Sequence, residues 1–558
     1  MNKTTIFQAK KVITMNPARP EGSAVAVRNG KILAVGTVDE LKGWGDYELD
    51  QTFADKILMP GLIEAHCHIM EGLVWMYPYV GYFDRFGPDG KCWKGCKSFD
   101  ELIATLKTIE AGMTQPDTPL IAWGLDPIYF EGDRLQAEHL DQVSKTRPIF
   151  IIHASFHLAT VNTALMQKEG ITKETQTEGV VKDDHGEPLG ELQEISAMSL
   201  ASECLKEFFG GMNSENAWLN MGIQAKNVGC TTIAELGTAS PANQQIIDNL
   251  KKITDEETYP IRVVSAYMAP EGAPGLDIDN GDDGETIDTL KIVKDAEKQS
   301  SDKLRFGIVK VLLDGSIQGY TARLKEPGYY NGKPNGLWIS PPENMNETLS
   351  KYHSAGLTVY CHCNGNEAVD VFLDAVEYAQ SKSYWPDHRH TVQHCQTTTT
   401  AQYQRMANLG VCANIFSNHI YYWGDQHYSL TMGPEGAERM EACATAKKLG
   451  VHFTLHSDAA VTPLSQLHTA WCAVNRVTAS GRVLGEYEKL SVYDALYAVT
   501  LDAAYQLKMD HEIGSIEPGK WADFAVLEKD PFNVDPMELK DIKVWGTVLA
   551  GKPFKSAY

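Results

Sequence analysis

Two histidines separated by one residue, His66 and His68, end an apolar run: Met59-Pro60-Gly61-Leu62-Ile63-Glu64-Ala65-His66-Cys67-His68. In an extended chain, residues i and i+2 point to the same face, so both imidazoles can aim at one point. That is the geometry of a pair of metal ligands, and imidazole nitrogen suits zinc and its first-row neighbours. Other apolar runs carry or lead into groups that bind metals or move protons. Lys310 lies in the run at 307–311, which leads to Asp314-Gly315-Ser316. His362 follows the run at 357–361, His394 follows that at 390–393, and the run at 451–455 leads into His456-Ser457-Asp458. Each has a plainer role on its own: a lone strand-end histidine is commonly a core residue, and Asp458 suits a helix cap. Taken together, they place imidazoles, an amine and a carboxylate at the ends of several strands.

Those strands need a common frame. Further apolar runs lie at 119–123, 148–152, 231–234, 261–265 and 410–414, with helix patterns at 99–111, 215–228, 367–380, 401–409 and 437–449. Strand–helix alternation over roughly 400 residues predicts an α/β fold with a parallel sheet, and at this count a (β/α)8 TIM barrel. Such a barrel takes its active groups from the C-terminal ends of its strands. The runs outnumber eight, so the surplus is assigned to an insertion at about 76–215. Both chain ends have a different, β-like texture, with Asn29-Gly30 as a hairpin signal near the start. Residues 1–57 and 510–558 are therefore expected to form one small β-sandwich outside a barrel of residues 58–509.

The net charge of -23 over 558 residues disfavours nucleic acid and anionic membranes as partners. Apolar stretches reach nowhere near the roughly eighteen residues of a membrane span, and Met1-Asn2-Lys3-Thr4-Thr5 opens no secretory signal. Eleven scattered cysteines argue for reduced thiols and a cytoplasmic location. Cys67, Cys361, Cys363 and Cys395 sit beside the histidines above, and strand alternation turns them into packing.

The sequence resembles the amidohydrolase superfamily, most closely the branch that includes N-substituted formamide deformylase and relatives near the D-aminoacylases. The matching pieces are the 59–68 run, His157 with Asn162, Lys310 with Asp314-Gly315-Ser316, His362, His394, Ser457-Asp458 with Pro463, and Gly514-Ser515-Ile516-Glu517-Pro518-Gly519-Lys520-Trp521-Ala522-Asp523-Phe524. The resemblance implies a hydrolase that cleaves an amide-type, non-peptide carbon–nitrogen bond of a small molecule with a metal-activated hydroxide. It implies one or two divalent ions, zinc foremost, held by His66, His68, Lys310, His362, His394 and Asp458. Lys310 is the candidate for a carbamylated bridging lysine, with Glu235 as the rival bridge. Asp458 takes the role of general base and then acid, and His394 that of ligand or electrophile. His157, Trp123, Arg323, Tyr422 and Trp423 fall on the loops expected to bind substrate, and a homodimer is the expected assembly. The chain departs from its relatives at Cys363-Asn364-Gly365-Asn366-Glu367, at His456 and at Glu235-Leu236-Gly237. A heterocycle deaminase and a non-catalytic ligand-binding barrel are the competing readings. Gly365 stands where deaminases of this kind carry an acid three residues after the histidine, which ranks deamination lower.

Overall fold

The computed structural model describes residues 3–115, 117–130, 134–272 and 288–557. Eight parallel strands form its central sheet: β1 (Leu62–Cys67), β2 (Cys230–Glu235), β3 (Arg262–Met268), β4 (Leu304–Leu312), β5 (Thr358–Cys363), β6 (Thr391–His394), β7 (Cys412–Ile415) and β8 (Phe453–Leu455). They neighbour one another in chain order. Just past β8, Ala459 bridges to Cys67 in parallel and accepts a hydrogen bond from the His68 amide at 2.6 Å, which brings the first and last strands together. This is the TIM barrel that the strand–helix alternation predicts. Each strand is buried along nearly its whole length, as parallel strands covered on both faces must be. The covering helices are amphipathic. In Asn366–Lys382, for example, Val369, Phe372, Leu373, Val376 and Ala379 recur at helical spacing and are buried.

The two surplus runs lie elsewhere. Leu120–Leu125 and Ile149–His153 pair in parallel in a separate five-stranded sheet completed by Leu158–Val161, Val180–Lys182 and Pro188–Gln193. All five fall inside the stretch assigned to the insertion.

The chain ends meet in one seven-stranded sheet. Strand Phe524–Leu527 pairs with Tyr47–Pro60, which in turn pairs with Thr4–Ile13. The hairpin between Glu21–Arg28 and Lys31–Gly36 turns at Asn29 (φ 53°) and Gly30 (φ 74°), the left-handed pair that a tight Asn-Gly turn requires. The sheet closes back on itself: Ile32 donates to the Lys520 carbonyl at 2.9 Å and accepts from the Gly519 amide at 2.8 Å. Phe7, Val25, Phe53, Leu58, Phe524 and Val548 pack as its core. Strand Tyr47–Pro60 runs straight toward β1 and is interrupted at Gly61. A Cβ there would come within 1.9 Å of Thr231 Oγ1, so the crossing into the barrel has room for glycine alone.

One buried ion pair ties the end sheet to the barrel. Arg262, at the start of β3, donates to Asp523 through Nε at 2.7 Å and through a terminal nitrogen at 3.2 Å, both side chains being almost fully buried. Asp523→Ala removes the buried partner of this guanidinium and leaves it only the half-exposed Asp302 carboxylate at 3.6 Å, a loss of about 3 kcal/mol. A urea-denaturation midpoint well below that of the wild type is the expected result. An unchanged midpoint would show that the pair does not hold the two sheets together.

Candidate metal centre

The strand ends converge as barrel geometry requires. His66 and His68 leave β1 on the same face, and Asp458 follows β8 on the far side of the barrel seam. Asp458 Oδ1 lies 3.4 Å from His66 Nε2 and 3.2 Å from His68 Nε2. The ligand atoms of these three residues all lie within 4.8 Å of one another. Glu64 fixes the two strand ends relative to each other: one carboxyl oxygen accepts the His66 amide at 3.0 Å, the other the Ser457 amide at 3.0 Å and the Ser457 hydroxyl. Burial pushes the Glu64 carboxyl up to about 8. Asp458 itself has a left-handed backbone (φ 52°), as does His394 (φ 74°). Such strain in a non-glycine residue is held by its surroundings and clusters at functional sites.

The partner of His66 sets its tautomer. His66 Nδ1 lies 2.6 Å from Gln393 Oε1, which also accepts from Asn414 Nδ2 at 2.9 Å. With its proton on Nδ1, the ring turns a lone pair at Nε2 toward the site, the usual outer support of a metal-binding histidine. Burial, with Lys310 nearby, holds the His66 ring well below its ordinary pKa and therefore neutral. A second cluster is continuous with the first. His394 Nε2 lies 2.9 Å from His362 Nδ1, and His394 Nδ1 lies 3.2 Å from His456 Nε2 and 3.7 Å from Asp458 Oδ2. His66, His394 and His456 form a second possible ligand triad.

Lys310, on β4, is almost fully buried, and its Nζ has no hydrogen-bond partner among the described residues. Burial lowers its pKa to about 8, against the pull of Asp458 in the other direction. Glu235, at the end of β2, is committed elsewhere. Its carboxylate accepts from the backbone amides of Gly237, Thr238 and Ala239 at 3.1, 3.0 and 3.2 Å, from that of Ile69 at 3.4 Å, and from the Thr238 hydroxyl. It stands 4.0 Å from His68 Nδ1.

A divalent ion fits these residues. His66 Nε2, His68 Nδ1, Lys310 Nζ and Asp458 Oδ1 are buried polar atoms without hydrogen bonds among the described residues, an arrangement that costs free energy unless something satisfies it. Ligands at about 2.1 Å from a tetrahedral zinc stand about 3.4 Å apart, close to the spacings of His66 and His68 from Asp458. The donors are imidazole and carboxylate, both suited to first-row divalent ions.

Over its length the chain now matches known proteins. The model of the amidohydrolase family (Amidohydro_3) matches residues 54–554. The chain belongs to the amidohydrolase family. It is 24% identical to N-substituted formamide deformylase from Arthrobacter pascens, over 97% of this chain and 96% of that protein. It is 26% identical to protein LONG AFTER FAR-RED 3 from Arabidopsis thaliana, over 97% and 90% of the two chains. An uncharacterized metal-dependent hydrolase from Pyrococcus horikoshii OT3 superposes with a TM-score of 0.69 at 20% identity, covering 96% of this chain and 99% of that one.

Within this amidohydrolase, the expected ligand residues gather around one region, while the expected substrate residues divide. Tyr422 and Trp423 line a cleft with Tyr79, Tyr82, Arg85 and Tyr129. The Trp423 indole donates to Asp126 at 2.7 Å, and its ring lies 6.3 Å from Phe416, which stacks on His456 at 4.8 Å. His157 stands 5.4 Å from the His362 ring. Two expectations are corrected. Trp123 is a core residue, fully buried against Trp75 and Tyr79, because its strand lies inside the insertion sheet. Arg323 spends its guanidinium on Glu367 at 2.9 Å and on the Gly336 carbonyl at 2.8 Å, and stacks on Trp338. Its backbone amide, with those of Asn364 and Gly365, donates to the buried Asp314 carboxyl at 2.9, 3.0 and 2.8 Å. One residue outside the expected ligand set stands among the ligands. His456 precedes Asp458 by the same i, i+2 step that joins His66 to His68, and that spacing was the available signal. The four cysteines beside the histidines are fully buried, as alternation predicts.

Proposed function

We propose that this amidohydrolase cleaves an amide-type, non-peptide carbon–nitrogen bond in a small molecule, with zinc as its metal. The observation that carries this reading is the spacing of His66, His68 and Asp458 around one point, with the Lys310 amine beside it and without a hydrogen bond among the described residues. Full-length similarity to a formamide deformylase supports the bond type.

When bound, a divalent ion supplies Lewis acidity: it brings the pKa of a water to about 7 and polarises a carbonyl. His66, His68, His362, His394 and Asp458 are the residues that would hold it, and Lys310 is the sixth. A lysine brought to about 8 is partly a free amine at neutral pH, the form that combines with carbon dioxide to give a carbamate. We assign to Lys310, rather than Glu235, the ligand that would come from this strand region as a carbamate, since the oxygens of Glu235 already take five hydrogen bonds.

Asp458 is the proton carrier. Burial works against its charge, but His68 at 3.2 Å and the neighbouring His456 and Lys310 hold its carboxyl below the usual range. It is therefore ionised at neutral pH, ready to take a proton from the attacking water and return it to the leaving nitrogen. We assign the apolar part of the substrate to the aromatic cleft of Tyr422 and Trp423, which Phe416 links to His456.

Screening N-formyl, N-acyl and cyclic-imide compounds for released amine or ring-opened acid tests the proposal. Turnover of at least one class is expected. Ammonia from a heterocycle, with no hydrolysis across the whole panel, would move the protein to the deaminases.

A further inference from the structure

We propose that Arg85, carried by the insertion, is a positioning residue: its guanidinium brackets the exits of β1 and β8 and so sets the spacing of His66 and His68 from Asp458. That these exits carry metal ligands rests on the hydrolase reading above.

The bracket spans the seam where the barrel closes. One terminal nitrogen of Arg85 donates to the carbonyl of Ala460, two residues past Asp458, at 2.6 Å. The other donates to Glu71 Oε2 at 3.0 Å. Glu71 lies in the short helix Met70–Leu73, and its amide donates to the His68 carbonyl at 3.0 Å. One planar group thus grips the β8 exit by a carbonyl and the β1 exit by a carboxylate, and the rigid fork of a guanidinium fixes the angle between them. The second Glu71 oxygen is held in turn by Gln224 Nε2 at 3.3 Å.

The insertion supplies and steadies this group. Arg85 pairs with Trp93 in a two-stranded ribbon, and its guanidinium lies 5.0 Å from the Trp123 ring and 5.8 Å from that of Trp75. Trp123 therefore serves the centre from behind, as a face on which the cation rests. Arg85 and Glu71 are both buried. A buried ion pair is a poor source of net stability, because desolvation offsets its attraction, so its use here is geometric. That geometry needs holding: the left-handed backbone of Asp458 (φ 52°) persists only where its surroundings over-determine it. Glu64 holds Ser457 just before it, and Arg85 holds Ala460 just after it. Arg85, Val461 and Pro463 also line the aromatic cleft, so the same bracket joins the cleft to the ligands.

Hydrogen exchange of the metal-stripped protein and zinc affinity by chelator competition are measured on the wild type, Arg85→Lys and Glu71→Gln. Lysine keeps the charge but has one nitrogen to place between two partners. Glutamine at 71 keeps an oxygen for Arg85 and loses the charge, so it weakens the buried pair without opening the bracket. In Arg85→Lys, residues 456–463 are expected to exchange about tenfold faster and the zinc dissociation constant to rise about tenfold, the low end for loss of an outer partner. The insertion strands Leu120–Leu125 and Ile149–His153 should exchange as in the wild type. Glu71→Gln should melt lower, yet keep wild-type exchange at 456–463 and wild-type zinc affinity. A role confined to packing the insertion predicts the reverse for Arg85→Lys: faster exchange in the insertion strands, with residues 456–463 and zinc affinity unchanged. That result overturns the bracket. If Arg85→Lys fails to fold, the wild type decides: in rising urea, exchange at 66–72 and at 456–463 should set in together, and separate onsets overturn the proposal. Exchange is read without metal or substrate, so a bracket that holds in a protein that hydrolyses nothing in the panel stands while the hydrolase reading falls.

Discussion

His66→Ala is expected to strip the protein of metal and of turnover while leaving the barrel folded. His66 belongs to both possible ligand triads, so its loss disarms each of them. Its ring is neutral, its Nδ1 is spent on Gln393, and its Nε2 has no other use among the described residues. Removal of an outer partner such as Gln393 typically weakens metal binding about 10–100-fold, and removal of the ligand itself should cost well beyond that. Most of the barrel core, such as Val309, Val359 and Val392, lies on other strands and is untouched. Elemental analysis beside far-UV circular dichroism measures both halves of this expectation, with Gln393→Ala as the comparator. Full metal occupancy with a native spectrum would remove His66 from the centre.

Asp458→Asn separates proton transfer from metal binding. Asparagine keeps the shape and one carbonyl oxygen toward His66 and His68, but it takes no proton at neutral pH. The expected loss in kcat is about 10² to 10⁴, the usual worth of general acid–base catalysis. Metal content should fall far less than in His66→Ala. A capping role for Asp458 predicts the opposite, since asparagine caps a helix about as well as aspartate. Turnover, metal and melting temperature belong on one preparation. Near-normal turnover with metal bound would leave the reaction without its base.

Much of the centre was legible in the sequence because its signals are local. His66 and His68 share a face by spacing alone, and His362, His394 and Asp458 stand where strands end. The barrel followed from alternation, and even the surplus runs at 119–123 and 148–152 could be set apart by count. What was not legible depends on distant pairing. Arg323 looks like a substrate-binding cation until the fold brings Glu367 to it. Trp123 looks like a pocket wall until the fold packs Trp75 and Tyr79 over it on the edge strand of the insertion sheet. Glu194 carries no motif, and only an antiparallel register sets it beside His157, with Oε2 at 2.7 Å from Nδ1. Polar residues at loops declare their chemistry in sequence, but not their partners.

The central claim is that the residues around His66 and Asp458 bind a divalent ion that the cleavage of a carbon–nitrogen bond requires. Zinc titration into chelator-stripped protein, followed as amine released from the best compound of the panel, tests it most directly. The account predicts no turnover in the stripped protein, recovery that rises with added zinc and saturates at one or two equivalents per chain, and no recovery in His66→Ala. Undiminished amine release from fully stripped protein would contradict it.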